Sequence, residues 1–177
     1  MQRSKGRSGT TVSSDYFREL YRGQDDPWGF ARSAYEREKY EATLGALPRE
    51  RYASALELGC SVGVFTRMLA ERCGDAPHVR FAAHDLAASF PRGRYELVTV
   101  CELGFYFGPR DLARIRDGVA GALEPGGDCV LVHWTPLVEG HAQTADDVHD
   151  AFLNDPRFER RATARAPTYR LDVVSRR

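Results

Sequence analysis

Residues 55–69 read ALELGCSVGVFTRML, an apolar strand that enters a glycine turn and leaves it as an amphipathic helix. In such a unit the unpaired N–H groups of the first helical turn converge on whatever sits at the helix start, which suits the tail of a cofactor. The turn has the form E-x-G-x-[small]-x-G, with Glu57, Gly59, Ser61 and Gly63 in register. A dinucleotide fingerprint starting at Gly59 requires glycines at 61 and 64, where this chain has Ser61 and Val64. The spacing therefore favours S-adenosylmethionine over a nicotinamide dinucleotide. Gly59 allows a positive φ, Gly63 allows the backbone to approach a ligand, and Glu57 beneath the turn can receive a ligand ammonium. The competing reading is a tight strand-to-helix turn with no ligand, since a glycine fingerprint is a hypothesis until its context is known.

Two helices are predicted ahead of this unit. Asp15–Tyr21 carries Tyr16, Phe17, Leu20 and Tyr21 on one face, and Pro27 and Gly29 in DDPWGF end it. Ser33 with Glu36 has the spacing of a capping box and opens a second helix with Tyr35, Lys39, Tyr40 and Leu44. Beyond the turn, Phe65–Glu71 reads as helix and HVRFAAHDL as a strand ending at Asp85. FPRGRYELVTVCEL supplies a strand ending near Glu102, Asp111–Leu123 a helix stopped by PGG, and DCVLVHW a further strand. Thr144 and Asp147 cap a helix that runs to about Leu153. Phe158–Val174 reads as two strands with a turn near Pro167. Strands alternating with helices predict an α/β, Rossmann-like, doubly wound and mostly parallel sheet with helices on both faces and an antiparallel C-terminal edge. The expected organisation is a flexible tail over 1–14 and one domain over 15–177, made of cap helices (15–48) and a Rossmann-like core (53–177).

The 177 residues suffice to bury one core, and a formal net charge of zero argues against nucleic acid as a partner. The arginines that gather from Arg157 through Arg160, Arg161 and Arg165 to Arg177 read as a solvated face. Cys60, Cys73, Cys101 and Cys129 form no C-x-x-C pair, so neither a metal site nor a disulfide framework is expected. No apolar run approaches a membrane span and no signal-peptide core opens the chain, so a cytoplasmic setting is expected.

Several segments together resemble the class I S-adenosylmethionine-dependent methyltransferases of the nodulation protein S type: YFRELYRGQDDPWGFARSAYEREKYEATLGALP, ALELGCSVGVFTRMLAERC, HVRFAAHDL, YELVTVCELGFYF, GGDCVLVHW and TADDVHDAFLNDPRFER. The resemblance implies methyl transfer from S-adenosylmethionine to an amino sugar of a chitin-like oligosaccharide, with a small-molecule or oligosaccharide acceptor as partner. It also marks a departure. In that family a second strand and helix stand between the glycine-turn unit and the position of Asp85. Here only residues 64–84 intervene, too few for another strand and helix after the first helix is counted. The acidic residue that normally ends the second strand and binds the ribose hydroxyls is therefore missing, and weakened cofactor binding is expected. Asp85 is the candidate substitute if its strand pairs directly on the first. A degenerate, catalytically silent fold acting as a binding module is the alternative function. The oligomeric state is left open, because losing a strand changes the neighbours of a sheet edge.

Ligands in open α/β sheets bind beyond the carboxyl ends of the strands. Glu57 with Gly59, Cys60, Ser61 and Gly63, then Asp85, Glu102 with Tyr106, and His133 with Trp134 are expected to meet in one cleft. Glu102 and His133 are the candidate proton acceptors for an attacking amine, with Tyr106 beside them. Tyr16, Trp28 and Tyr35 supply aromatic faces that can enclose a sulfonium or stack on a sugar. His141 and His149 flank Thr144 in a segment that, in relatives, lines the acceptor cleft.

Overall fold

A computed structural model describes residues 9–74 and 79–177. Its elements are α1 (Ser14–Tyr21), α2 (Ala34–Gly45), β1 (Ala55–Leu58), α3 (Val64–Arg72), β2 (Tyr95–Cys101), α4 (Pro109–Ala122), β3 (Leu123–Trp134), α5 (Ala145–Leu153), β4 (Phe158–Arg165) and β5 (Tyr169–Arg176). The sheet order is β1-β2-β3-β5-β4, with β1, β2 and β3 parallel and β5 antiparallel to both its neighbours. The Rossmann-like class and the antiparallel C-terminal edge thus follow the sequence pattern.

The period-two alternation of the strands feeds two cores. Val98, Val100, Cys129, Leu131 and Val174 face a layer built from Leu112, Ile115 and Val119 of α4 and Val148 and Phe152 of α5. Leu97, Val130, Val132, Leu171 and Val173 face Tyr40 and Leu44 of α2 and Phe65 and Leu69 of α3. Thr144 and Asp147 complete the expected reciprocal capping box, whereas at Ser33 only half of one forms: Ser33 accepts the Glu36 N–H, but the Glu36 carboxylate goes to Lys39 and the Ser33 N–H to the Gly29 carbonyl. Helix α4 passes into β3 with no loop at all. The PGG segment sits inside a bulge, where the β2 register jumps from Tyr95 opposite Leu123 to Leu97 opposite Asp128.

The strand expected to end at Asp85 is not there. His78 lies outside the described residues, and 79–85 run as irregular chain. Its apolar side chains have no face to bury: Val79 is 43% and Phe81 67% exposed. A strand without cross-strand and face packing has little to hold it. Asp85 instead closes a local turn, its carboxylate accepting the Ala87 N–H at 2.9 Å and its carbonyl the Ala88 and Ser89 N–H groups. Among the described residues no strand or helix separates α3 from β2, so β1 pairs only with β2 and stands at the sheet edge. The direct pairing of an Asp85 strand on β1 is thereby overturned.

The expected tail boundary also shifts. Thr11 and Val12 are tied down: the Val12 N–H donates to the Tyr106 carbonyl at 2.8 Å, and the Thr11 hydroxyl accepts the Gly108 N–H while donating to Asp111. Residues 1–8 lie outside the described part.

Candidate active site

The carboxyl ends of β1, β2 and β3 open into a cavity of about 830 Å³, covered by Val12, Phe17 and Tyr21 on one side and by residues 83–87 on another. Gly59, Ser61 and Gly63 all adopt left-handed backbone conformations, at φ +75°, +46° and +76°. Such a conformation is strained for serine and free for glycine. The Ser61 hydroxyl pairs with the Tyr21 hydroxyl at 2.7 Å, fastening α1 to the glycine turn. Beneath the turn the Glu57 carboxylate accepts the Thr66 hydroxyl at 2.6 Å. Burial pushes the Glu57 carboxyl up, and the Thr66 bond opposes that. Burial likewise raises the Cys60 thiol beside it.

Glu102 follows the end of β2 with φ +50°, a strained conformation for a non-glycine residue and one that aims its side chain into the cavity wall. One carboxylate oxygen lies 2.6 Å from the Lys39 ammonium and the other accepts the Trp134 N–H at 2.9 Å. Lys39 also contacts Glu36, 3.0 Å from one oxygen and 2.9 Å from the other. Burial works against the lysine's charge, but the two carboxylates outweigh it and hold the ammonium protonated. Burial raises the Glu102 carboxyl while Lys39 pulls it back. Tyr106 lines the same wall, edge-on to Phe17 at 5.0 Å, and burial raises its phenol.

Of the residues singled out from sequence, Glu57, Gly59, Cys60, Ser61, Asp85, Glu102, Tyr106, Trp28 and Trp134 line the cavity together. Four others stand differently. Gly63 caps α3 behind the turn, with the Phe81 ring over it. Tyr16 is exposed and packs edge-on against Phe17, which lines the cavity. Tyr35 is turned away between Trp134 and Tyr169, its hydroxyl on Thr168. His133 is fully buried behind the wall, and its Nε2 is engaged by the Gly104 N–H at 2.9 Å. A ring whose lone pair is taken by a fixed amide, and which burial drives well below its usual pKa, cannot collect a proton from the cavity. His133 is thus corrected from proton acceptor to wall support.

Sequence reasoning missed Lys39, Glu36, Phe17, Tyr21 and Phe105 as wall residues. The i,i+3 spacing of Glu36 and Lys39 was the one available signal, and it reads equally well as a surface pair. His141 does line the cavity, stacked on Phe105 at 4.1 Å. His149 does not.

A family model described as Nodulation protein S matches residues 14–88, which span the cap helices, the glycine turn and the Asp85 segment. A solved structure of a putative methyltransferase from Pseudomonas syringae is 32% identical, covering 81% of this chain and 100% of that one, with a TM-score of 0.70. The chain belongs to the same methyltransferase family as that protein. Nodulation protein S of Bradyrhizobium diazoefficiens is 28% identical over 116 residues, 54% of each chain, and that of Rhizobium tropici 28% over 131 residues, 60% of this chain and 54% of the relative. The chain thus spans little more than half the length of these curated relatives. The N-methyltransferase NodS of Bradyrhizobium japonicum WM9, solved with S-adenosylhomocysteine, is 21% identical with a TM-score of 0.75 over 92% of this chain and 96% of that one, a likeness of fold. Among the described residues no helix is long and apolar enough to cross a membrane.

Proposed function

We propose that this chain methylates an amine of a small polar acceptor, an amino sugar or amino-oligosaccharide, with S-adenosylmethionine as donor. The observation that carries the reading is the left-handed turn at 59, 61 and 63 with the Glu57 carboxylate beneath it, opening into the cavity that Glu102 and Tyr106 also line. The residues fit the donor. Glu57 suits its ammonium, the turn suits its amino-acid end, Asp85 suits its ribose hydroxyls, and the faces of Tyr21 and Trp28 suit a cationic sulfur.

When bound, the donor supplies a methyl carbon on a positively charged sulfur, open to in-line displacement by an unprotonated amine. The chain's task is to hold the nucleophile on that line in a site from which water is excluded. Phe17, Phe105, Tyr106 and Trp134 make the acceptor side apolar, and aromatic faces of this kind stack on sugar rings. Glu102 is the group we assign to receive the amine's proton. Burial raises its carboxyl, which favours proton uptake, while Lys39 pulls it back down and sets its orientation.

Thermal denaturation with millimolar S-adenosylhomocysteine tests the reading. A ligand that binds only the folded state raises its melting temperature, by about 2.7 kcal/mol of stabilisation at a hundredfold excess over Kd. Absence of any shift would overturn the proposal. Methyl transfer to deacetylated chitooligosaccharides then tests the acceptor.

A further inference from the structure

Behind the cavity wall, three polar side chains with no exposure at all form a line across the sheet and α5. His133 on β3 accepts the Gly104 N–H at Nε2, and its Nδ1 stands 3.1 Å from His149 Nε2 on α5. The Nδ1 of His149 is 2.7 Å from Asp172 Oδ2 on β5. Asp172 is in turn held by the Thr163 hydroxyl and by Arg170 Nε at 2.7 Å, with Arg170 anchored on Asp146 and Asp150.

One proton arrangement satisfies every contact. A backbone amide can only donate, so the Nε2 lone pair of His133 faces Gly104, and a neutral ring then carries its proton on Nδ1. That proton goes to His149 Nε2, which leaves the His149 proton on Nδ1, directed at the Asp172 carboxylate. Adding a proton to either ring would set two donors face to face. Asp172 and Arg170 therefore fix, through two rings, where the Gly104 amide lies.

Gly104 opens the 3-10 turn Gly104–Tyr106, which carries Phe105 and Tyr106 into the cavity one residue after the strained Glu102. The Phe105 carbonyl receives the N–H groups of Ala142 and Gln143, and its ring stacks on His141. Gly104 has no room for a side chain, since a Cβ would run into Val148 and come within 3.1 Å of His133 Nε2. We infer that the His133–His149–Asp172 line is a tautomer-locked brace that positions the acceptor-facing wall, with His133 as a positioning residue that touches neither donor nor acceptor. This rests on the methyltransferase reading of the cavity.

Two measurements test it. Long-range ¹H–¹⁵N spectra of the wild-type protein at neutral pH are expected to show His133 and His149 both neutral and both protonated at Nδ1. An Nε2–H ring at either position, or a cationic one, overturns the brace. The second measurement compares His149→Phe, which offers no acceptor to His133, with His149→Gln, which does. His149→Phe is expected to lower kcat/KM for deacetylated chitooligosaccharide about tenfold, the scale of one lost hydrogen bond. His149→Gln is expected to stay within about threefold of wild type, and both variants to keep the wild-type Kd for S-adenosylhomocysteine. Equal losses in the two variants, or a parallel loss of S-adenosylhomocysteine affinity, overturn the positioning role. A wild-type chain that fails to bind S-adenosylhomocysteine overturns the methyltransferase reading instead, and does so without any variant.

Discussion

The Lys39 ammonium lies 2.6 Å from the Glu102 carboxylate, with 2% of the lysine side chain and 17% of the glutamate side chain exposed. The pair joins α2 to the end of β2, so that helix is fastened to the sheet by charge at the cavity wall. Its geometry also explains how Glu102 tolerates φ +50°, since both carboxylate oxygens are held from elements on either side.

Breaking this pair from the lysine side leaves buried carboxylates without their counter-charge. Lys39→Met is expected to cost about 3–5 kcal/mol, the scale for removing one partner of a buried ion pair. Urea denaturation checks it. A loss under 1 kcal/mol would mean that water replaces the ammonium and that Glu102 is not sealed in the wall.

The brace behind the wall makes stability depend on pH with a definite sign. Burial holds His133 well below the ordinary histidine value of 6.5, with His149, Lys39 and His141 acting in the same direction. Burial also lowers His149, against the pull of Asp172. The unfolded chain therefore binds protons that the folded chain refuses. The stabilisation from these rings is complete above about pH 6.5 and is lost as pH falls through the window between the unfolded value and the depressed folded ones. Asp172 adds to the same trend further down, because the His149 and Thr163 hydrogen bonds outweigh its burial and lower its pKa. Two refused protons correspond to a slope of up to about 2.7 kcal/mol per pH unit. Denaturation midpoints between pH 7.5 and 5 are expected to fall steeply in the wild type and less steeply in His149→Gln.

Gly59 lines the cavity and Gly104 sits behind its wall, and the two fail for different reasons when a methyl group is added. Gly59→Ala forces φ +75° on an alanine and brings its Cβ to 3.1 Å from Leu103 Cδ1, the flexible end of a side chain. About 1–2 kcal/mol is expected, mostly from the backbone. Gly104→Ala has ordinary backbone freedom but collides with Val148, an overpacking cost of about 1–3 kcal/mol. Adding Val148→Ala should recover part of the Gly104→Ala loss and none of the Gly59→Ala loss, which a double-mutant comparison of melting free energies reads directly.

Much of this was legible in the chain because local signals agreed with the tertiary outcome. The 55–69 unit, the Ser33 and Thr144 caps and the apolar spacing of α4 each specify their own element, and the residue shortage at 64–84 announces the absent strand–helix unit. The strand reading of HVRFAAHDL misled because a segment's sequence records a capacity for strand and not the presence of a neighbour. With Phe81 left over the turn and Asp85 used for its own loop, that capacity is unused. His133 misled for a related reason. A histidine at a strand end advertises titration, but which ring atoms are free is decided by Gly104, His149 and Asp172, scattered over forty and more positions. Lys39 was hidden because an i,i+3 pair on a polar helix looks the same whether it faces solvent or a cavity.

The shortened segment has its sharpest consequence at Asp85. In doubly wound sites the ribose hydroxyls meet an acidic side chain at the end of the second strand, and no such strand stands between α3 and β2 among the described residues. Asp85 lines the cavity from a loop, with one carboxylate oxygen on the Ala87 N–H. Asp85→Asn keeps an oxygen for that N–H and removes only the charge. Stability is therefore expected to stay within about 0.5 kcal/mol, while S-adenosylhomocysteine affinity falls about tenfold through the loss of a charge-assisted hydrogen bond. Calorimetric titration alongside urea denaturation separates the two. If Asp85→Asn binds as wild type does, the ribose is held by something other than this loop, and the loss of the second strand costs the site less than its chemistry implies.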